Sequence, residues 1–211
     1  MNHVALLGDS IFDNHAYVAP QPDVIHQLRA RLGHGWAATL LAVDGHVTDD
    51  VRTRQVSRVP KAATHLVISV GGNDALGYST ILNEPARFVS EAVARLAQAQ
   101  ASFTQRYIKM LDAVLALRLP TAVCTIYDAN YPEPQRQVVV AALALFNDVI
   151  SREAFRRGLP IVDLRLICSE PADYANPIEP SALGGDKIAA VIAALLRTND
   201  IGRRRSTIWA W

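Results

Sequence analysis

The sequence predicts a single α/β domain in which a parallel sheet is covered by helices on both faces. Three observations predict it. The chain has 211 residues, 50% hydrophobic and 19% charged, with a mean hydropathy of +0.12, enough to bury a sizeable core without disulfides or a structural metal. Short apolar runs ending in Gly, Asp or Asn alternate with longer segments of helical spacing, the pattern of repeated βα units. No repeat on the order of 20 to 50 residues and no Ser/Pro/Gly-rich linker divides the chain.

Taken in order, the first strand covers 3–7 and runs into Gly8, Asp9 and Ser10. A helix over 22–32 leads to a strand at 37–43, which ends at Asp44, Gly45 and His46. A helix over 49–57 precedes the strand at 65–70, closed by Gly71, Gly72, Asn73 and Asp74. The segment 85–117 has helical spacing with a break near Ala101; a strand at 121–126 follows and ends in Tyr127, Asp128 and Asn130. A helix over 134–157, a strand at 160–164 and a helix over 181–196, N-capped by Ser181, complete the domain. All five strands are near-continuous apolar runs, as a sheet covered on both faces requires.

The domain spans 1–198 and a tail spans 199–211, in which Arg203, Arg204 and Arg205 precede Trp209 and Trp211. A frayed, solvated end is the plain expectation for such a tail; docking of its indoles onto the body or a neighbouring subunit is the alternative. The apolar segment 138–146 exceeds what one subunit's core demands and is a candidate contact for a second copy.

Charge excludes several function classes. Lys plus Arg number 21 and Asp plus Glu 20, a net charge of +1 spread along the chain, which leaves no electrostatic footprint for nucleic acid or an anionic membrane. The expected partner is a small molecule. Cys124 and Cys168 are the two cysteines, the first apolar run is too short for a signal peptide and no run reaches a membrane span, so the expected compartment is the cytoplasm. Cys124, in mid-strand, reads as a core residue.

In an open parallel sheet ligands bind beyond the carboxyl ends of the strands. Ser10 sits where a strand hands over to a loop, with Gly8 permitting a tight turn, a placement that suits a nucleophile. Gly45 has no Cβ, so its N–H can approach a ligand, and Asn73 offers a neutral amide donor after two glycines. With the Ser10 N–H these make three donors for one oxyanion, the requirement of acyl transfer. Tyr127 and Tyr131 leave the fourth strand toward this region and suit the wall of an acyl or alcohol site. Asp9 reads as an acceptor for loop amides. No metal or organic cofactor is expected.

Singly these signals are weak; their order is specific. Gly8-Asp9-Ser10, then Gly45, then Gly71-Gly72-Asn73-Asp74, then the stretch 176–181 resemble the blocks of the SGNH hydrolases, or GDSL-type esterases, over nearly the whole chain. The resemblance implies a flavodoxin-like three-layer α/β/α fold with a five-stranded parallel sheet. It also implies Ser10 as nucleophile and an oxyanion hole of Ser10 N–H, Gly45 N–H and Asn73. The departure falls at the base: where the family has Asp-x-x-His, this chain has Asn176 and Glu179, and no histidine follows His65.

Three readings of that departure are open. In the first, Glu179 is the base and Asn176 donates a hydrogen bond that holds it ionised. An ordinary Glu is roughly 3 kcal/mol poorer than His as a proton acceptor, and burial that raises its pKa past the working pH would neutralise it. In the second, His15 or His46, each adjacent to a site loop, is the base. In the third, the chain is a catalytically silent small-molecule binding protein that keeps the pocket and the oxyanion donors.

Overall fold

The computed structural model describes residues 1–198, 200–202 and 205–210. In chain order the elements are β1 (Asn2–Gly8), α1 (His15–Val18), α2 (Val24–Leu32), β2 (Trp36–Leu40), α3 (Thr48–Asp50) and β3 (His65–Ser69). There follow α4 (Gly72–Leu76), α5 (Val89–Leu115), β4 (Thr121–Cys124), α6 (Gln135–Arg157), β5 (Ile161–Val162) and α7 (Leu164–Ile167). The chain closes with β6 (Tyr174–Asn176), β7 (Glu179–Pro180), α8 (Ala182–Arg197) and β8 (Ile208–Trp209).

The main sheet has the order β2-β1-β3-β4-β5-β8 with every pair parallel, and β6 and β7 form a separate antiparallel hairpin. Alternate strand residues feed two cores. Val4, Leu6, Val67, Cys124 and Val162 pack on the side of α2 and α8, while Ala5, Leu7, Ile68, Val123 and Ile161 pack on the side of α5 and α6. The fold is thus the expected three-layer α/β/α arrangement, and burial on both faces explains why the strands are apolar throughout. Burial also pushes the Cys124 thiol up, as expected for a core cysteine.

Four details differ from the sequence reading. The sheet has a sixth strand, because Ile208 and Trp209 pair with Ile161 and Val162 and the Trp209 ring packs on the α2–α8 core. That part of the tail is therefore ordered; Arg203, Arg204 and Trp211 lie outside the described residues. α5 has no break at Ala101: Ala99, Phe103, Tyr107, Met110, Leu111 and Val114 form one buried stripe at helical spacing, with neither Gly nor Pro to interrupt it. The helix expected over 49–57 begins as α3, widens to a π turn at Val51–Gln55 and ends as a 3-10 turn at Val56–Arg58. The strands β2 and β4 stop short of their apolar runs, and Leu41 and Ala42 instead both donate to the Leu6 carbonyl. Ser181 caps α8 as expected, accepting from Gly184 N at 3.1 Å.

Candidate active site

The end of β1 is forced by one residue. Gly8 has φ +137°, and a Cβ there would lie 1.8 Å from the Ser69 carbonyl oxygen on β3, so no side chain fits. The Asp9 N–H then donates to that oxygen at 3.1 Å, and Phe12 and Asp13 both donate to the Asp9 carbonyl at 3.2 Å. This tight turn holds Ser10 at the carboxyl edge of the sheet, 6% exposed. Among the described residues its N–H has no hydrogen-bond partner.

The next two loops are stitched to this turn. Gly45, at φ +79° with open space where a Cβ would stand, likewise has an N–H without a partner among the described residues. Asn73 Nδ2 donates one hydrogen to the His46 carbonyl at 3.0 Å, and its other hydrogen has no partner among the described residues. Asp74 Oδ2 accepts from both the N–H and the hydroxyl of Thr48, at 2.9 and 2.8 Å.

Sequence reasoning missed the residue that links these loops. Gln55 is completely buried. Its Oε1 accepts from Gly8 N at 2.8 Å, and its Nε2 donates to the Gly8 carbonyl at 2.8 Å and to His46 Nδ1 at 2.9 Å. The signal that could have found it is position. Gln55 lies four residues after the buried Val51, a polar residue on an apolar stripe.

Ser10, Asn73, Glu179 and Asp9 share a cavity of about 520 Å³, lined also by Tyr127 and Tyr131. Gly45 and Asn176 are not among its lining residues. Glu179 reaches it from β7, placed by the β6–β7 hairpin, whose turn is pinned by Asn130 N donating to the Pro177 carbonyl at 2.8 Å and by the Tyr127 hydroxyl donating to the Ile178 carbonyl. Burial raises the Glu179 pKa to about 7; the neighbouring Ser10 hydroxyl opposes the rise and the Asp44 charge adds to it. Its Oε2 is buried without a partner.

Two expected partnerships take another form. Asn176 does not donate to Glu179 among the described contacts. It is exposed, and its Oδ1 accepts from Ile178 N at 2.9 Å, so it shapes the hairpin turn. Neither His15 nor His46 lines the cavity: His15 is exposed and stands 3.6 Å from Asp23, and the His46 ring is held by Gln55. Asp9 accepts from Ile11 N at 3.2 Å, as a loop acceptor should. Its carboxyl is pushed up to about 8, chiefly by burial, with the charges of Glu179, Asp74 and Asp44 adding to the rise. Among the described residues no group of His, Cys, Asp and Glu is placed to hold a metal ion.

A hydroxyl beside a carboxylate near neutrality, at the edge of a cavity with unpaired N–H donors nearby, has the chemistry of acyl transfer. Comparison with solved structures gives the same architecture. The chain superposes on a lipase from a goat rumen metagenome with a TM-score of 0.72 and 16% identity, over 97% of this chain and 100% of the other. It superposes on phospholipase A1 from Streptomyces albidoflavus at 0.69 and 17%, over 93% and 98%. A third match is a carbohydrate acetylesterase from Sinorhizobium meliloti, at 0.65 and 13%, over 94% and 99%. No curated protein sequence matches the chain significantly. The profile of the GDSL-like Lipase/Acylhydrolase family matches residues 6–187, most of the chain from the first strand into the last long helix. The chain belongs to that family, whose members are hydrolases acting on esters.

Proposed function

We propose that the protein hydrolyses a carboxylic ester or related acyl group through Ser10, with Glu179 as general base where its family uses histidine. One observation carries the reading: Ser10 and Glu179, each 6% exposed, face the same cavity, with the serine hydroxyl close enough to act on a carboxyl that burial raises to about 7. Burial removes most of the handicap of an ordinary Glu without carrying the group far past neutrality, so a useful fraction is ionised at physiological pH.

Glu179 takes the proton as Ser10 Oγ bonds to the ester carbonyl carbon. The oxyanion that forms meets the N–H of Ser10, the N–H of Gly45 and the free hydrogen of Asn73. The carbon–oxygen bond to the alcohol then breaks, and Glu179 returns the proton to that alcohol, leaving an acyl-enzyme. Water, deprotonated by the same carboxylate, releases the acid and restores Ser10. Asn176 has no part in the transfer; it keeps the turn that carries Glu179. No metal or organic cofactor enters. Two buried, free cysteines support a reducing, cytoplasmic compartment.

Turnover of p-nitrophenyl acetate from about pH 5 to 9 tests the proposal. The rate should rise with pH through about 7, because the ionised carboxylate is the active form. Ser10→Ala should lose about 10⁴-fold and Glu179→Gln about 10³-fold. Equal rates for all three proteins would mean that the pocket binds a small molecule without turning it over.

A further inference from the structure

We infer that Asp9 and Glu179 act as a pair that holds one proton between them, with Asp9 keeping the proton while Glu179, the proposed base, stays charged. Asp9 is then a further positioning residue of the site and not only an acceptor for the loop after β1. This rests on the hydrolase reading above and deepens it.

Both side chains line the cavity together with Ser10, and they are 3% and 6% exposed. Among the described residues no Lys, Arg or His lines that cavity. The charges that raise Asp9 are those of Glu179, Asp74 and Asp44, and Asp9 in turn acts on the Cys124 thiol and the Tyr127 hydroxyl. Glu179 is raised by Asp44 and acts on Tyr17 and Tyr127. Arg106 offsets the charge of Asp74. Two carboxyls in one water-poor space without a cation between them do not both ionise near neutrality, so one keeps its proton.

The hydrogen bonds decide which one. Glu179 Oε2 is buried without a partner, a costly arrangement for a charged oxygen. It calls for a donor, and three donors of the cavity wall are committed elsewhere. The Tyr127 hydroxyl donates to the Ile178 carbonyl, the Thr125 hydroxyl to Asp163 Oδ1 at 3.0 Å, and one Asn73 hydrogen to the His46 carbonyl. Asp9 has an oxygen to spare: its Oδ1 accepts from Ile11 N at 3.2 Å, and its Oδ2 makes no hydrogen bond among the described residues. A proton on Oδ2 turns a group that would repel Glu179 into a donor for it. Burial gives the same order, since it lifts Asp9 to about 8 and Glu179 to about 7, and Glu179 therefore ionises first.

During turnover the Asp9 proton stays in place, while Ser10 gives its proton to Glu179 and Glu179 passes it to the alcohol. Above about pH 8 Asp9 ionises as well, and a second negative charge beside the forming oxyanion slows its formation.

The dependence of kcat/KM on pH for p-nitrophenyl acetate, corrected for hydrolysis without enzyme, tests the pair. Wild type should give a bell, rising through about 7 and falling about tenfold per pH unit above about 8. Asp9→Asn, whose amide can donate but not ionise, should lose the falling limb and keep the rising one. Asp9→Ala, which leaves Glu179 without that donor, should be at least about tenfold slower than Asp9→Asn at about pH 7.5. No falling limb in wild type, one that survives in Asp9→Asn, or equal rates for the two variants overturns the pairing. Infrared titration of the protonated-carboxyl band in Ser10→Ala follows the proton without turnover. A step near about pH 8 should be present there and absent when Asp9→Asn is added. That result keeps the pair even if wild type hydrolyses no ester and the hydrolase reading falls, whereas a step that is missing, or unchanged by Asp9→Asn, removes the pair whatever the rates show.

Discussion

The two sides of the Ser10 hydroxyl are built in opposite ways. On the side of the proposed oxyanion donors the loops after β1, β2 and β3 are locked together through Gln55, Asn73 and Asp74, by buried and part-buried hydrogen bonds of 2.8 to 3.0 Å. On the side of the proposed base, Glu179 shares the cavity with Ser10, has one carboxylate oxygen buried without a partner, and gets no help from Asn176. The difference fits what the proposed mechanism asks of each side. Donors that stabilise a developing charge work best when they do not move, so their supports are satisfied. A base must change its protonation state, and a carboxylate held by several strong donors would have too low a pKa to accept a proton.

Among the groups that support Ser10 and Glu179, the largest effect should come from unlocking the rigid side. Gln55→Leu removes the tie between Gly8 and His46 and leaves the Gly8 N–H unsatisfied, while the Gly8 carbonyl keeps the Val43 N–H. It should lower kcat by about 10²-fold with little change in KM, since the oxyanion donors are displaced and the cavity is not. Gln55 is a positioning residue, so a comparable rise in KM would show that its role is merely structural.

The fold and the loop positions of Gly8, Gly45 and Asn73 were legible in the sequence for a physical reason. Gly8, Gly45, Asn73 and the apolar strands are tied to local requirements, a backbone angle, a close approach or burial on two faces, and each leaves a mark within a few residues. Glu179 was visible through the loss of the family's histidine, but the group expected to support it was not the right one. A spacing of three suits a hydrogen bond between Asn176 and Glu179; in the hairpin the Asn side chain turns back to its own loop. Gln55 depends on contacts across 47 and 9 residues, and no local pattern announces it. The sixth strand was hidden for the same reason, since two residues carry no periodicity.

A smaller effect concerns stability. Asp9 and Glu179 both have folded-state pKa values raised above the ordinary carboxyl range, to about 8 and about 7. Between the ordinary and the raised values the folded protein binds more protons than the unfolded one, so these groups make stability fall as pH rises from about 4 to about 8. Asp9→Asn keeps an acceptor for the Ile11 N–H and removes the charge. Thermal unfolding across that range should show a shallower decline for Asp9→Asn than for wild type, and parallel curves would mean that Asp9 does not titrate there.

The smallest effect is expected at Asn176. An Asp at this position can still accept from Ile178 N, and the side chain is exposed, so Asn176→Asp should change kcat/KM by no more than about twofold. A loss of tenfold or more would show that the amide supports Glu179 in solution and that the base side is less bare than it looks.

The short strand β8 has a consequence for how molecules of this protein meet one another. A parallel sheet that stopped at β5 would present that strand's backbone groups as a template for strand addition. Instead, Ile161 N and Asp163 N are occupied by the carbonyls of Thr207 and Trp209. The outer rim of the sheet becomes a two-residue strip that offers an incoming chain almost nothing to extend, a blunt edge of the kind that keeps β proteins from polymerising.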